Sequence, residues 1–320
     1  MVEDVIHAFH RRTGRRTQAD FGSSPKTSTS PNRQETGKNE PGQGAGVCSS
    51  RSAATLTAMT EKDLPLVLLS NDDGIDAPGL ATLVASLEGL AAIQVVAPAG
   101  PQSGVGHALT SGQAIRVENR SNGYAVHGTP ADCARVALTH RSPLTKNWAE
   151  AVRDRRVWLV SGINQGANLG VDLYVSGTAA AAREAAILGF PALAISQYVG
   201  RHRQPDWDKT RLRARPVLRS LLEQPPGDGA FWNVNLPHPV DESVDCPITH
   251  CPPDPSPHPI RFEVQGEHHS YSGDFHGRPR KARYDVDVCF GGEIAISRVP
   301  LHSSEPAHAT RQPEGAAESK

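Results

Sequence analysis

Two adjacent carboxylates, Asp72 and Asp73, close the run Leu66-Val67-Leu68-Leu69-Ser70-Asn71 and stand just before Gly74. Neighbouring aspartates repel each other unless positive charge lies between them, and a hard divalent cation is the usual answer. The apolar run reads as a buried strand, and open α/β sheets bind ligands beyond the C-terminal ends of their strands. Two later segments offer more oxygen on a glycine-rich backbone: Ala97-Pro98-Ala99-Gly100-Pro101-Gln102-Ser103-Gly104-Val105-Gly106-His107 and Ser161-Gly162-Ile163-Asn164-Gln165-Gly166-Ala167-Asn168-Leu169-Gly170. Glycine lets backbone approach a ligand closely. Oxygen from Asp, Ser and Asn suits magnesium, manganese or calcium rather than zinc or copper.

A fourth segment, Tyr174-Val175-Ser176-Gly177-Thr178, runs into the alanine-rich stretch that follows. Such a turn at a helix N-terminus offers free N–H groups and hydroxyls at the positive end of the helix dipole, which suits phosphate. Cation plus phosphate cradle means phosphoryl chemistry. Each piece has a plainer meaning by itself. Asp-Asp-Gly is commonly a turn, Ser103 a solvated hydroxyl, Asn164 a turn former, and Ser176 or Thr178 an N-cap. His107 reads as a structural or substrate-contacting residue. The recurrence of such loops at successive strand ends favours a site.

The elements that must position these loops alternate. Strands are expected at Leu64 to Ser70, Ile93 to Ala97, Val157 to Val160, Ala192 to Ser196 and Phe231 to Leu236. Helices are expected from Ala77-Pro78-Gly79 through Leu80, Leu83, Val84 and Leu87, from Thr129-Pro130-Ala131-Asp132, over Thr178 to Leu188 and near Leu212 to Leu222. Ile115-Arg116-Val117 and Tyr124-Ala125-Val126 suggest a hairpin. This alternation predicts an α/β fold with a mostly parallel sheet between two helical layers. Beyond about residue 240 the chain is Pro- and His-rich, with clear strands expected only at Asp285 to Cys289 and Ile294 to Val299. That β-rich extension (241–302) reads as completing the 63–240 domain and as a dimerisation arm, ahead of a disordered tail at 303–320.

Residues 1–62 are polar and aperiodic and are expected to be disordered. Met59 stands directly before Thr60-Glu61-Lys62-Asp63, so translation of the native protein is expected to start there. A net charge of −1 argues against a nucleic-acid binder, and no apolar run is long enough for a membrane span. Five scattered cysteines fit a reducing compartment, the cytoplasm. Cys246, His250, Cys251 and His258 lack the paired spacing of a zinc knuckle, while His268, His269 and His276 read as exposed loop residues.

The blocks Leu69-Ser70-Asn71-Asp72-Asp73-Gly74 with Ala77-Pro78-Gly79, Val95-Val96-Ala97-Pro98 with Gln102-Ser103-Gly104, Gly128-Thr129-Pro130-Ala131-Asp132-Cys133, Ser161 to Gly170, and Tyr174 with Ser176-Gly177-Thr178-Ala179-Ala180-Ala181 closely resemble the SurE family. The resemblance implies a Rossmann-like α/β fold and one divalent cation per subunit, magnesium or manganese, held by Asp72, Asp73, Ser103 and Asn164. It implies that Asn168, Ser176, Gly177 and Thr178, with Gly104 in the matched Ser loop, lie near a substrate phosphate, and that Asp72 and Asn168 are catalytic. Members hydrolyse nucleoside 5'-monophosphates, often with broad phosphatase activity, in the cytoplasm as homodimers or homotetramers whose C-terminal extensions exchange. Gly100-Pro101 departs from the charged residues expected before the Ser loop, and 141–156 and 245–285 match poorly. A haloacid-dehalogenase-like phosphatase needs two Asp residues separated by one position and then Thr or Val, which adjacent Asp72-Asp73 followed by Gly74-Ile75 does not fit, and no Gly-x-Gly-x-x-Gly of a dinucleotide oxidoreductase follows strand one. A non-catalytic nucleotide-binding sensor is the remaining alternative.

Overall fold

The computed structural model describes residues 64–139, 141–238 and 246–302. The proposed start at Met59 and the segments 1–62 and 303–320 lie outside the described residues.

Strand β1 (Leu66–Ser70) explains the architecture in miniature. Val67 and Leu69 enter one core with helices α1 (Pro78–Leu87) and α5 (Trp207–Leu222), while Leu68 enters the opposite core with α2 (Pro130–Leu138) and α4 (Gly177–Ile187). Successive side chains of a strand point to opposite faces, so a continuous apolar run demands cover on both sides. Burying one such leucine contributes about 1.5–3 kcal/mol.

The remaining strands are β2 (Ala92–Pro98), β3 (Val117–Arg120), β4 (Gly123–Val126), β5 (Val157–Gln165), β6 (Ala192–Gln197), β7 (Ala230–Leu236), β8 (Ile248–His250), the separate hairpin β9 (Phe262–Gln265) and β10 (His268–Tyr271), and β11 (Ile294–Pro300). Eight of them join β1 in one nine-stranded sheet in the order β3-β4-β2-β1-β5-β6-β7-β11-β8. From β4 to β7 every pairing is parallel, whereas β3 and β11 join antiparallel. The α/β, Rossmann-like expectation holds, with additional strands supplied by the C-terminal segment. The hairpin expected near 115–126 is present as β3 and β4, with only its first strand displaced toward the C-terminus. Helix α2 starts with a capping box: Thr129 accepts from the Asp132 N–H, and Asp132 accepts from the Thr129 N–H.

The C-terminal segment departs from the sequence reading: β8, β9 and β10 lie where no clear strand is expected. Asp285–Phe290, expected as a strand, is helix α6. Asp285, Val286, Val288 and Cys289 are its buried residues, which is helical spacing despite the local alternation. Two aspartates in its first turn favour the helix N-terminus, and Gly291 caps its end. His268 and His269 are exposed as expected but lie on β10 rather than in a loop. His276 is half-buried, its ring tilted against Tyr198, whose hydroxyl it meets at 2.9 Å. A short helix, α3 (Ala149–Arg153), lies before β5. Among the described residues, no helix is long and apolar enough to cross a membrane.

Candidate active site at the C-terminal edge of the sheet

The loops after β1, β2 and β5 lie at one edge of the sheet because their strands are parallel neighbours. Gly74, at φ 101°, turns the chain sharply after the two aspartates, and Asn71 braces the turn through its side chain at 2.9 and 3.2 Å. The Gln102 N–H donates to the Asp72 carbonyl at 2.7 Å, which tethers the Ser103 loop to the acidic turn. From the other side, the Gln165 N–H donates to Asp73 Oδ2 at 3.3 Å.

Asp72 is 5% exposed and accepts a 2.5 Å hydrogen bond from the Thr178 hydroxyl. Burial, then the neighbouring charge of Asp73, push its pKa up to about 7 against the Thr178 hydrogen bond. Burial also raises Asp73, opposed by the Gln165 N–H. Among the described residues, neither carboxylate has an ion-pair partner, and no three His, Cys, Asp or Glu side chains gather as a metal cage. A cation here would draw on two carboxylates and neutral oxygens. Asn164 can supply one of these, because its N–H goes to Gly166 O at 2.7 Å while its Oδ1 takes no hydrogen bond among the described residues. Ser103 and Gly104 are exposed on their loop.

Helix α4 points its N-terminus at Asp72. A Cβ on Gly177 would lie 2.7 Å from Asp72 Cβ, so only glycine permits this approach. Ser176 is the N-cap, accepting from the Ala179 N–H at 3.0 Å. Thr178 serves Asp72 directly, whereas the family resemblance points it toward phosphate. Asn168 sits beneath the loop: it donates to Ser196 Oγ at 2.9 Å, its N–H donates to Asn235, and its carbonyl accepts from Asn233 and Asn235. One N–H of its amide group is thereby committed, leaving the second.

Two supports carry no signal in the motifs. His107 and Arg135 both reach the buried Glu184, at 2.7 and 2.5 Å, joining the Ser103 loop and α2 to α4. Burial raises the Glu184 pKa, but these hydrogen bonds outweigh it and hold the carboxyl below its usual range. His107 is thus structural. The second support is Asp172, fully buried, which accepts from Arg278 at 2.5 Å, from His258 and from the Leu169 N–H at 3.3 Å. The C-terminal segment therefore grips the 166–174 loop from beneath. His258 goes to Asp172, and His250 packs edge-on to Trp232. A polar Asn233-x-Asn235 on a buried strand is the available signal for the Asn168 support.

Known proteins resemble this chain across the segment that carries the site. The family described as "Survival protein SurE" matches residues 67–252. A Synechocystis protein named "Putative 5'-nucleotidase" is 43% identical over 72% of this chain and 98% of its own length. The "5'/3'-nucleotidase SurE" of Yersinia pestis is 41% identical over 58% of this chain and 68% of its own length. The crystal structure of the SurE protein from Aquifex aeolicus aligns with a TM-score of 0.63 at 26% identity, covering 75% of this chain and 95% of that one. With the matched region spanning the acidic edge and the sheet from β1 to β8, β11 alone lying outside it, the chain belongs to the SurE family.

Proposed function

We propose that this protein is a metal-dependent 5'-nucleotidase, hydrolysing nucleoside 5'-monophosphates to nucleoside and phosphate. One observation carries the reading: Asp72, which with its neighbour Asp73 has no cationic partner among the described residues, abuts the N-terminus of α4 at the Gly177 contact. The names borne by the relatives support the same class of enzyme.

The donor set fits a hard cation. Two carboxylates raised by burial gain from positive charge, and Asn164 keeps an oxygen free. Asp72, Asp73, Ser103 and Asn164 would hold one magnesium or manganese ion. When bound, such an ion offsets charge on phosphate oxygens and makes water more acidic. The chain's own groups do the positioning. Thr178 fixes the Asp72 carboxylate, and Gln165 fixes Asp73. Ser176, Gly177 and the remaining Asn168 N–H hold phosphate oxygens, with Gly104 beside them. Preorganised donors of this kind stabilise charge that develops during reaction without reorganising.

In this reading residues 63–240 form the catalytic domain and 241–302 complete it and join subunits, as a homodimer or homotetramer in the cytoplasm. The exposed Ile260, Phe262 and Val264 beside and on β9 support an assembling arm. The activity extends to other phosphomonoesters. The test is phosphate release from a panel of nucleoside monophosphates with magnesium or manganese and after chelation. Release that needs the cation and disappears in Asp72→Asn with the fold intact is expected. Cation-independent release, or none from any substrate, overturns the reading.

A further inference from the structure

Beside Asp73 lies a cavity of about 340 Å3, whose described lining includes no residue of α4. Its size falls within the range of small-ligand sites, about 300–1,000 Å3. Pro78, Pro101 and Trp207 contribute apolar walls, and Gln165 lines it next to the carboxylate it holds. Asp73 and Asp76 are the charged residues of the described lining, Asp76 being paired with Arg120 at 3.1 Å, and no Lys, Arg or His is among those lining residues. An anion is therefore a poor occupant. A neutral group with flat apolar faces and a polar edge is a good one.

Trp207 is already seated for such a group. It opens α5 behind the Asp206 N-cap, and its Cη2 would lie 3.0 Å from a Cβ on Gly79, so the indole rests on the first turn of α1. Across the cavity, a Cβ at Gly100 would meet nothing within 4 Å, so that wall stands open. Gly100-Pro101 is also where the sequence departs from the charged residues expected before the Ser loop. The Gln165 side chain has no hydrogen-bond partner among the described residues and offers both a donor and an acceptor.

We infer that this cavity receives the nucleoside part of the substrate, with the base stacked on the Trp207 indole and its edge read by Gln165. The inference rests on the nucleotidase reading. The acidic pair then lies between two complementary subsites: α4 takes the anionic phosphate, and the apolar cavity takes the neutral nucleoside. Trp207 is a specificity residue in this arrangement, because every base has a π-face to stack.

The test compares AMP, GMP, CMP and UMP with ribose 5-phosphate, which lacks a base. Trp207→Ala should lower the ratio of kcat/KM for the nucleotides over that for ribose 5-phosphate by about 5- to 150-fold, the usual effect of removing one base–aromatic stack. Trp207→Phe keeps an aromatic face and should retain most of that ratio. Adenosine titrated into the wild-type chain should quench tryptophan fluorescence to saturation, and Trp207→Phe should lose the quench, a readout independent of turnover and tolerant of any folding defect in Trp207→Ala. An unchanged ratio in Trp207→Ala, a quench that persists in Trp207→Phe, or a ratio controlled by the exposed Tyr174 in Tyr174→Ala overturns the inference. Wild-type protein that quenches with adenosine yet releases no phosphate would sink the nucleotidase reading and leave the cavity assignment standing.

Discussion

Replacing Arg278 by methionine probes how the C-terminal segment holds the site. Arg278 and Asp172 are both buried and meet at 2.5 Å. Breaking a buried pair by removing one partner costs about 3–5 kcal/mol, because the other charge stays buried and unpaired. Asp172 would still keep His258 and the Leu169 N–H, so the low end, about 3 kcal/mol, applies. At about 2–4 °C per kcal/mol for a domain of this size, Tm should fall by about 6–12 °C. Adding Asp172→Asn removes the stranded charge while leaving an acceptor for Leu169, so the double variant should regain at least half of the loss. Urea unfolding of the wild type, the two single variants and the double variant measures the coupling. Since residues 169–175 connect Asn168 to Ser176, Arg278→Met should also raise KM for the nucleotide. A loss under about 1 kcal/mol, or a double variant as unstable as the sum of the singles, would refute the argument.

Other outcomes follow from the same geometry. Gly177→Ala forces a Cβ to 2.7 Å from Asp72 and should lower kcat about 100-fold, as misplacement of about 1 Å does, at a stability cost of about 1–3 kcal/mol; unchanged steady-state kinetics would contradict the close approach. Asp72 must be ionised to hold a cation, and its metal-free pKa is about 7. Manganese affinity should therefore be level above that pH and weaken about tenfold per unit below it, and calorimetry at several pH values that finds a constant affinity would contradict this. Because that pKa is raised from 3.8, its contribution to metal-free stability is present at low pH and fades as pH rises through about 7. Bound cation should cancel the fade, measured as Tm against pH with and without manganese.

Much of this is legible from residues 66–197 because local and global signals agree there. An apolar run means a strand buried on both faces, a Thr-Pro-x-Asp start means a capped helix, and glycine-rich segments mean loops at the strand ends. The acidic pair, Asn164 and the Ser176 turn can be assigned to one sheet edge on that basis. Asp285–Phe290 misleads because alternating Asp and Val imitate a strand, while tertiary burial at helical spacing decides the outcome. Arg278, His258 and Glu184 are invisible for another reason. Their partners lie 106, 86 and 77 positions away, at Asp172, Asp172 and His107, and no local pattern encodes such pairing. Trp207 gives no signal either, since one aromatic at a helix start carries no period.

The most direct measurement is a calorimetric titration of manganese into chelator-treated protein near pH 8, beside Asp73→Asn and Asn164→Ala. The account predicts one ion per chain for the wild type, with binding lost in Asp73→Asn and weakened in Asn164→Ala, while all three keep the same circular dichroism. Equal affinity and stoichiometry in all three would contradict a shared cation at Asp72, Asp73, Ser103 and Asn164.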